Sequence, residues 1–362
     1  MAATLKDVAK KAGVAISTVS YVLNGTGLHK VGEETQKRIF KAAAELEYTP
    51  NLAGRILNGG RSNIIGITIP LRMPLVYNEV PFRIVDQLRK KGYQSAISVA
   101  STPEGLAEAK NDLLARHVEG MLFFNCQTML KPWYSSCSVP ILHFDGLNGE
   151  IRIDLAGGEY CAVRHLMECH GHRRIGFFSI VPQSLPGDKY DGYRRALEES
   201  GVRDYQDWII ATDGNRHWEK ELLDKIRKYR LTAFACNNDN YASILIATLI
   251  AHKIRIPEDI AVVGYDGDCY IPHLAVPLTT MIQPISEVIF RMTGQIIEKV
   301  SRQIRSELEP MTLKPYLHIG RSCGCSGTMK KNPDLFNGYS LDLCHTKKQI
   351  RQKPLFQGKK RQ

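Results

Sequence analysis

Beyond Asn63 the sequence alternates short, almost unbroken apolar runs with longer amphipathic stretches, and no other feature constrains the fold as strongly. The apolar runs are Ile64–Ile69, Ser95–Val99, Gly120–Phe124, Ile141–Phe144, Ile175–Ile180, Trp208–Ala211, Ala233–Cys236 and Ala261–Tyr265. Helical patterns lie between them, around 81–92, 104–117, 157–170, 189–200, 218–229, 239–252 and 286–304. A strand apolar on both faces, followed by a helix, belongs in a parallel sheet covered on both sides. About eight to ten such units exceed what one small sheet holds, so two α/β lobes are expected.

The first 62 residues have a different period. Leu5, Val8, Ala9 and Ala12 share one helical face, with Thr4 placed as N-cap, Asp7 three residues on, and Gly13 as the stop. Ile16, Val19, Val22 and Leu23 repeat the pattern up to Asn24-Gly25. A third helix is expected from about Glu33 to Leu46, facing inward with Ile39, Ala42, Ala43 and Leu46. Two short helices joined by a tight turn, with a third sharing their core, form a helix-turn-helix.

Charge singles out the same segment. The chain has 48 Lys+Arg against 37 Asp+Glu, a formal net charge of +11. Residues 1–62 hold nine basic and five acidic groups, residues 327–362 nine and two, and the middle is balanced. Basic ends on a neutral core suggest a polyanionic partner.

The residues TLKDVAKKAGVAISTVSYVLNG, then EET and YTPN, resemble the headpiece of the lactose/galactose repressor family of bacterial regulators. GHRRIGFF (171–178), GYRRAL (192–197), NDNYA (238–242), RIPEDIAVVGYD (255–266) and PLTTMIQP (277–284) continue the resemblance in order, so that it spans residues 4–325. It implies an all-α DNA-binding headpiece (1–50), a hinge helix or linker (51–62), and a two-lobed core (63–325) for effector binding and dimerisation. The core would have the fold of periplasmic sugar-binding proteins, with chain crossings near 157, 283 and 312. A basic tail of disorder-prone composition (326–362) follows.

The resemblance assigns roles residue by residue. Ile16, Ser17 and Tyr21 would read base edges from the major groove, the only groove with a full donor/acceptor code. Thr18, Ser20, Asn24, Lys30 and Thr35 would contact phosphate, with Thr4, Leu5, Tyr48, Asn51 and Ala53 also on the DNA side. Leu57 would wedge into the minor groove. Three positions depart from the family: Ala15 and Gly32 replace capping Ser, and Gly54 replaces a hinge Ala. In the cleft, Tyr77, Asn125, Asp154, Lys189, Trp218, Asn238, Asp239 and Asp266 would face the effector. That is the set of carboxylates, amides and aromatic faces a polar hydroxylated ligand requires. The alternative for Asp266 and Asn238 is to cap helices or order loops. Lys189 stands where the family has Arg and offers a point charge in place of a planar fork.

The expected activity is ligand-responsive repression by a cytoplasmic homodimer on a pseudo-palindromic operator, with a sugar in the cleft and no cofactor. A sugar-binding transport protein of the same fold is the alternative, disfavoured by the headpiece and by an N-terminus without an export signal. Nine Cys beside no such signal suggest free thiols. Phosphate-loop, GxSxG and HExxH patterns are absent, so no enzyme is expected. Two Cys/His groups stand out: Cys323 and Cys325 with His318, and Cys161 and Cys169 with His170 and His172. Two Cys with one spacer and no second pair are a weak metal pattern, the second group falls on the GHRRI turn that matches the family, and no metal site is assigned.

Overall fold

The computed structural model describes residues 3–23, 28–49, 54, 56, 60–124, 133, 136–179, 188–211 and 218–325. Asn24, Asn51, Ala53, Leu57, Asn125 and the tail from 326 onward lie outside the described residues.

Helices α1 (Leu5–Ala12), α2 (Ile16–Leu23) and α3 (Glu33–Glu45) form the headpiece. The start of α1 is a full capping box. Asp7 N donates to Thr4 Oγ1 at 3.3 Å, and Thr4 N to Asp7 Oδ2 at 2.9 Å. Gly13 ends the helix in the left-handed conformation, φ 65°. Among the described residues, Val8, Ala9, Ala12, Val19, Val22, Ile39, Ala42 and Ala43 make the buried core of this unit.

The N-lobe sheet has strand order β2-β1-β3-β4, all parallel. Its strands are β1 (Ile64–Ile69), β2 (Gln94–Val99), β3 (Gly120–Phe124) and β4 (Ile141–Phe144). Helices α4 (Val80–Lys90) and α5 (Pro103–Ala115) connect β1 to β2 and β2 to β3. From β4 the chain runs through β5 (Ile151–Ile153) into α6 (Leu155–His170), the first helix of the second lobe.

The C-lobe sheet has order β12-β10-β9-β8-β6-β7. Its strands are β6 (Ile175–Ser179), β7 (Ile209–Ala211), β8 (Ala233–Cys236), β9 (Ala261–Asp266), β10 (Thr279–Ile282) and β12 (Tyr316–His318). Helices α7 (Lys189–Glu199), α8 (Trp218–Tyr229) and α9 (Asp239–Ala251) link them. The close approach of α6 and α7 depends on Gly192, where a Cβ would lie 2.1 Å from the Ala156 carbonyl oxygen.

After β10 the chain returns to the first lobe as α10 (Ile285–Arg302), whose Val288, Ile289, Met292, Ile296 and Val300 join the N-lobe core. It then pairs β11 (Met311–Leu313) in parallel with β5 and crosses again to β12. The lobes are thus connected at 151–155, 282–285 and 311–316. One departure from the wholly parallel expectation is β12, antiparallel to β10 at the sheet edge. A strand arriving from the other lobe, with no crossover helix before it, is not bound to the parallel direction.

One buried ion pair ties α10 to the strand beside it. Lys299 Nζ donates to Glu150 Oε1, and both side chains are fully buried. The same carboxylate oxygen accepts from Leu308 N at 3.0 Å, and Glu150 O accepts from Met311 N. No helix among the described residues is long and apolar enough to cross a membrane.

Candidate functional site

Two regions carry chemistry: the outer face of the headpiece and the space between the lobes. On the headpiece, α2 turns Val19 and Val22 inward, so the 3.6-residue period sends Ile16, Ser17 and Tyr21 outward. Ile16 is 47% and Tyr21 51% exposed, although both are large apolar or aromatic groups. The apolar pattern that placed Ile16 on the inner face is therefore corrected: it begins the helix but points to solvent. Thr18, Ser20 and Thr35 are half-buried, while Thr4 and Lys30 are exposed. Leu5 and Tyr48 pack against the small core. Thr4 is committed to its capping box. An exposed helix whose outer residues offer a hydroxyl, a phenol and an aliphatic tip has the shape and groups to lie in a major groove.

The junction with the first lobe is firmly held. Arg61 donates to Glu119 Oε2 through its guanidinium at 2.6 Å, and Asn63 N donates to the other oxygen at 3.0 Å. Glu119 immediately precedes β3, so the first residues after the hinge segment are fastened to a sheet strand.

Between the lobes a continuous polar chain runs from one side to the other. Tyr77, in the loop after β1, donates from its hydroxyl to Gln283 Oε1 at 2.6 Å. Gln283 Nε2 donates to Asp266 Oδ1 at 2.7 Å, and Lys189 Nζ reaches the same oxygen at 2.7 Å. Lys189 also donates to the Asn237 carbonyl at 2.7 Å and lies 4.1 Å from the centre of the Tyr265 ring. Tyr77 belongs to the N-lobe core, Gln283 to the second connection, and Asp266 and Lys189 to the C-lobe. Burial and the nearby Asp266 charge push the Tyr77 hydroxyl above its ordinary range, so it stays a donor.

Asp266 ends β9 with φ 114°, a conformation that side-chain-bearing residues rarely adopt. Such strain persists only when surrounding contacts over-determine it, and it collects at ligand sites. Asp239 is the main restraint. Its Oδ2 accepts from Gly267 N at 2.7 Å and Asp268 N at 2.8 Å, and its Oδ1 accepts from the Thr280 hydroxyl at 2.5 Å. Burial raises the Asp239 carboxyl to about 7, against these donors, which favour the ionised form.

The structure therefore separates the sequence-selected cleft residues. It joins Tyr77, Lys189 and Asp266 in one network. Asp239 is fully buried beneath the turn it holds, where it positions Asp266 rather than facing the cleft. Asp154 caps α6 by accepting from Gly157 N at 2.9 Å, and Asn238 caps α9 by accepting from Tyr241 N at 2.9 Å. Trp218 starts α8 half-buried, its ring 5.3 Å from that of Phe178.

Two groups were not selected from sequence. Gln283, immediately after β10, completes the lobe-to-lobe chain; its place as the next-to-last residue of the PLTTMIQP stretch was the available signal. Glu159, in α6, is fully buried, and neither of its oxygens has a hydrogen-bond partner among the described residues. Burial pushes its carboxyl up to about 8, partly opposed by Lys189. Nothing in a helical pattern distinguishes such a Glu from a solvent-facing one.

Comparison with known proteins fits both regions. Residues 4–51 match the family "Bacterial regulatory proteins, lacI family", and residues 163–323 the family "Periplasmic binding protein-like domain". The repressor PurR of Photobacterium profundum is 30% identical over 296 residues, covering 78% of this chain and 87% of its own. The regulator DegA of Bacillus subtilis is 31% identical, covering 80% and 88%. A structure described as a CelR–cellobiose complex is 25% identical, TM-score 0.62, over 88% of this chain and 99% of its own. The lac repressor dimer bound to operator and an anti-inducer shares the fold at TM-score 0.74 and 22% identity, over 89% and 99%. The headpiece, the two-lobed core and these relatives together make the chain a member of the LacI family of DNA-binding transcriptional regulators, built around an effector-binding core rather than a catalytic one.

Proposed function

We propose that this regulator is a cytoplasmic repressor acting as a homodimer on a pseudo-palindromic operator, with a sugar or sugar derivative as effector between its lobes. The observation that carries the reading is the polar chain from Tyr77 through Gln283 and Asp266 to Lys189, which spans both lobes. Its donors and acceptors are satisfied by one another, so a ligand must replace them with hydrogen bonds of its own. A polyhydroxylated molecule offers donors and acceptors in that density. The balanced Lys189–Asp266 pair favours an uncharged ligand, and the cellobiose complex of a relative supports a sugar.

Exchange of these contacts for ligand contacts changes how the lobes are held together, and Arg61 and Glu119 pass that change to the hinge segment. Coupling of this kind is typically about 1–3 kcal/mol and reciprocal between the two ligands. Ile16, Ser17 and Tyr21 read bases. Lys30 and the half-buried hydroxyls of Thr18, Ser20 and Thr35 position the helix on phosphate, and paired Leu57 side chains wedge the minor groove. Dimerisation is supported by large exposed apolar groups on the N-lobe, among them Phe82 on α4 and Phe290 on α10, 63% and 62% exposed.

Selection from a random duplex pool with the full chain should return a two-fold-symmetric sequence. Removing residues 1–60 should abolish that binding and leave a core that still melts cooperatively; retained specific binding defeats the headpiece assignment. A thermal-shift screen of mono- and disaccharides should raise the melting midpoint, and Asp266→Ala should remove the shift while leaving operator affinity without ligand unchanged. A shift produced only by nucleobases or amino acids would overturn the sugar reading.

A further inference from the structure

Cys323 and Cys325 of one sequence group meet His170 of the other in space, together with His165, which neither group included. His165 and His170 stand at the C-terminal end of α6, five residues apart, with their rings 5.0 Å apart edge to face. Cys323 and Cys325 follow β12. One ligating atom from each of the four residues lies within 4.8 Å of all the others. Cys323 Sγ is 3.5 Å from His165 Nε2, and Cys325 Sγ is 3.7 Å from His165 Nε2 and 3.3 Å from His170 Nε2.

These separations are those of a coordination polyhedron. With Zn–S near 2.3 Å and Zn–N near 2.0–2.1 Å, a tetrahedral angle places sulfur and nitrogen about 3.5–3.6 Å apart. The three sulfur–nitrogen distances bracket that edge. His318 and His172, which also looked available in sequence, are outside the cluster; His172 is turned to the Thr232 hydroxyl.

The surroundings are built for the same purpose. Gly324, between the two cysteines, has φ 97°, so the backbone turns both sulfurs to one side, and a Cβ there would sit 3.4 Å from His170 Nδ1. The Thr279 hydroxyl donates to Cys323 Sγ at 3.0 Å, the kind of outer contact that orients a thiolate ligand. His165 and Cys323 are buried, and His170 and Cys325 are half-buried.

We propose that His165, His170, Cys323 and Cys325 form a structural Zn²⁺ site that fastens the segment after β12 to the end of α6. Four protein ligands leave no open position, so the site is structural rather than hydrolytic. Two sulfur and two nitrogen donors in a tetrahedron select zinc over magnesium or calcium. The site holds the last described residues of the core, directly ahead of the basic tail. It is independent of the interlobe cleft, and its loss need not alter effector recognition.

The test uses the full chain, purified reduced. Metal analysis should find one zinc per chain, released stoichiometrically on mercuration of the thiols. Cobalt substitution should give the intense visible bands and sulfur-to-cobalt charge transfer of a tetrahedral thiolate site. Cys323→Ser with Cys325→Ser should abolish zinc, and Cys169→Ser, an exposed neighbour, should retain it. Because Cys323 is packed into the C-lobe core, His170→Asn at a half-buried position provides a milder second variant, expected to weaken zinc binding at least tenfold. Reduced chain that takes up no zinc from equimolar metal overturns the proposal. So does zinc retained by the double Cys variant, or cobalt bound without sulfur charge transfer.

Discussion

The headpiece and the interlobe core use polar groups in opposite ways. On the headpiece the groups that face outward, Ser17, Tyr21 and Lys30, lie on the surface, and the core beneath them is small and entirely apolar. In the two-lobed core the polar groups are buried and mostly bound to each other: Lys189 to Asp266 and Tyr77 to Gln283 between the lobes, Asp239 to three donors within the C-lobe, Lys299 to Glu150 within the N-lobe. A surface that must accept a large polyanion keeps its hydrogen-bonding capacity available and relies on water until DNA arrives. In a cleft for a small molecule unsatisfied buried groups are costly, so all but a few, Glu159 among them, carry internal partners that a ligand would displace. Substitutions should therefore cost stability in the core and chiefly recognition at the headpiece.

The sharpest way to break this contrast is Lys299→Met. It leaves the Glu150 carboxylate buried without its cation, and the expected loss is about 3–5 kcal/mol. Denaturant unfolding of the core, followed by tryptophan fluorescence, measures it; a loss below 1 kcal/mol would show the pair to be hydrated. Asp239→Ala comes next. It strands two backbone N–H groups and the Thr280 hydroxyl, at about 1–3 kcal/mol by the same measurement, and frees Asp266 from its strained backbone. Effector affinity should fall with it, because the turn that Asp239 holds positions Asp266; an unchanged affinity would separate the turn from the cleft.

Thr4→Ala should cost the headpiece about 0.5–2 kcal/mol through the lost capping box and leave the core's melting untouched. Circular dichroism of the full chain resolves the two transitions if the regions are as independent as their cores suggest. The remaining prediction, Glu159→Gln, is read as a change of slope with pH rather than as a loss at one pH. Because the folded-state value is raised to about 8 from an ordinary value of 4.5, the stability linked to the protonated acid is fully present below pH 4.5. It declines as the pH rises through 8. The amide carries no charge, so the variant should melt higher than the parent at pH 8–9 and about equally at pH 5.

These contrasts also decide what could be read in advance. The headpiece is legible because its signals are local: Thr4 and Asp7 are three residues apart, and Gly13 closes the same helix. The long strands and helices of both lobes are legible for the same reason. Strands β5, β10, β11 and β12 are not, because Arg152, Thr279 and Thr280, Thr312 and His318 break their apolar runs, unlike the unbroken run of equally short β8. In the cleft, residue types were readable but their partners were not. Asp239 and Asp266 look alike in sequence, yet one is a buried strap and the other the group it positions. Glu159 is hidden by the close packing around Gly158, where a Cβ would meet the Tyr265 hydroxyl at 2.4 Å. His165 and Cys323 are 158 positions apart, a distance no spacing rule bridges.

The clamp of Arg61 and Asn63 on Glu119 has a mechanical consequence. Two groups at the entry to the first lobe, a guanidinium and a backbone N–H, close on one carboxylate just ahead of β3, so the chain at residues 61–63 is a fixed mount on the sheet. A turn of the N-lobe therefore carries the main chain at Arg61 with it, and none of that rotation is dissipated at the point where the core begins.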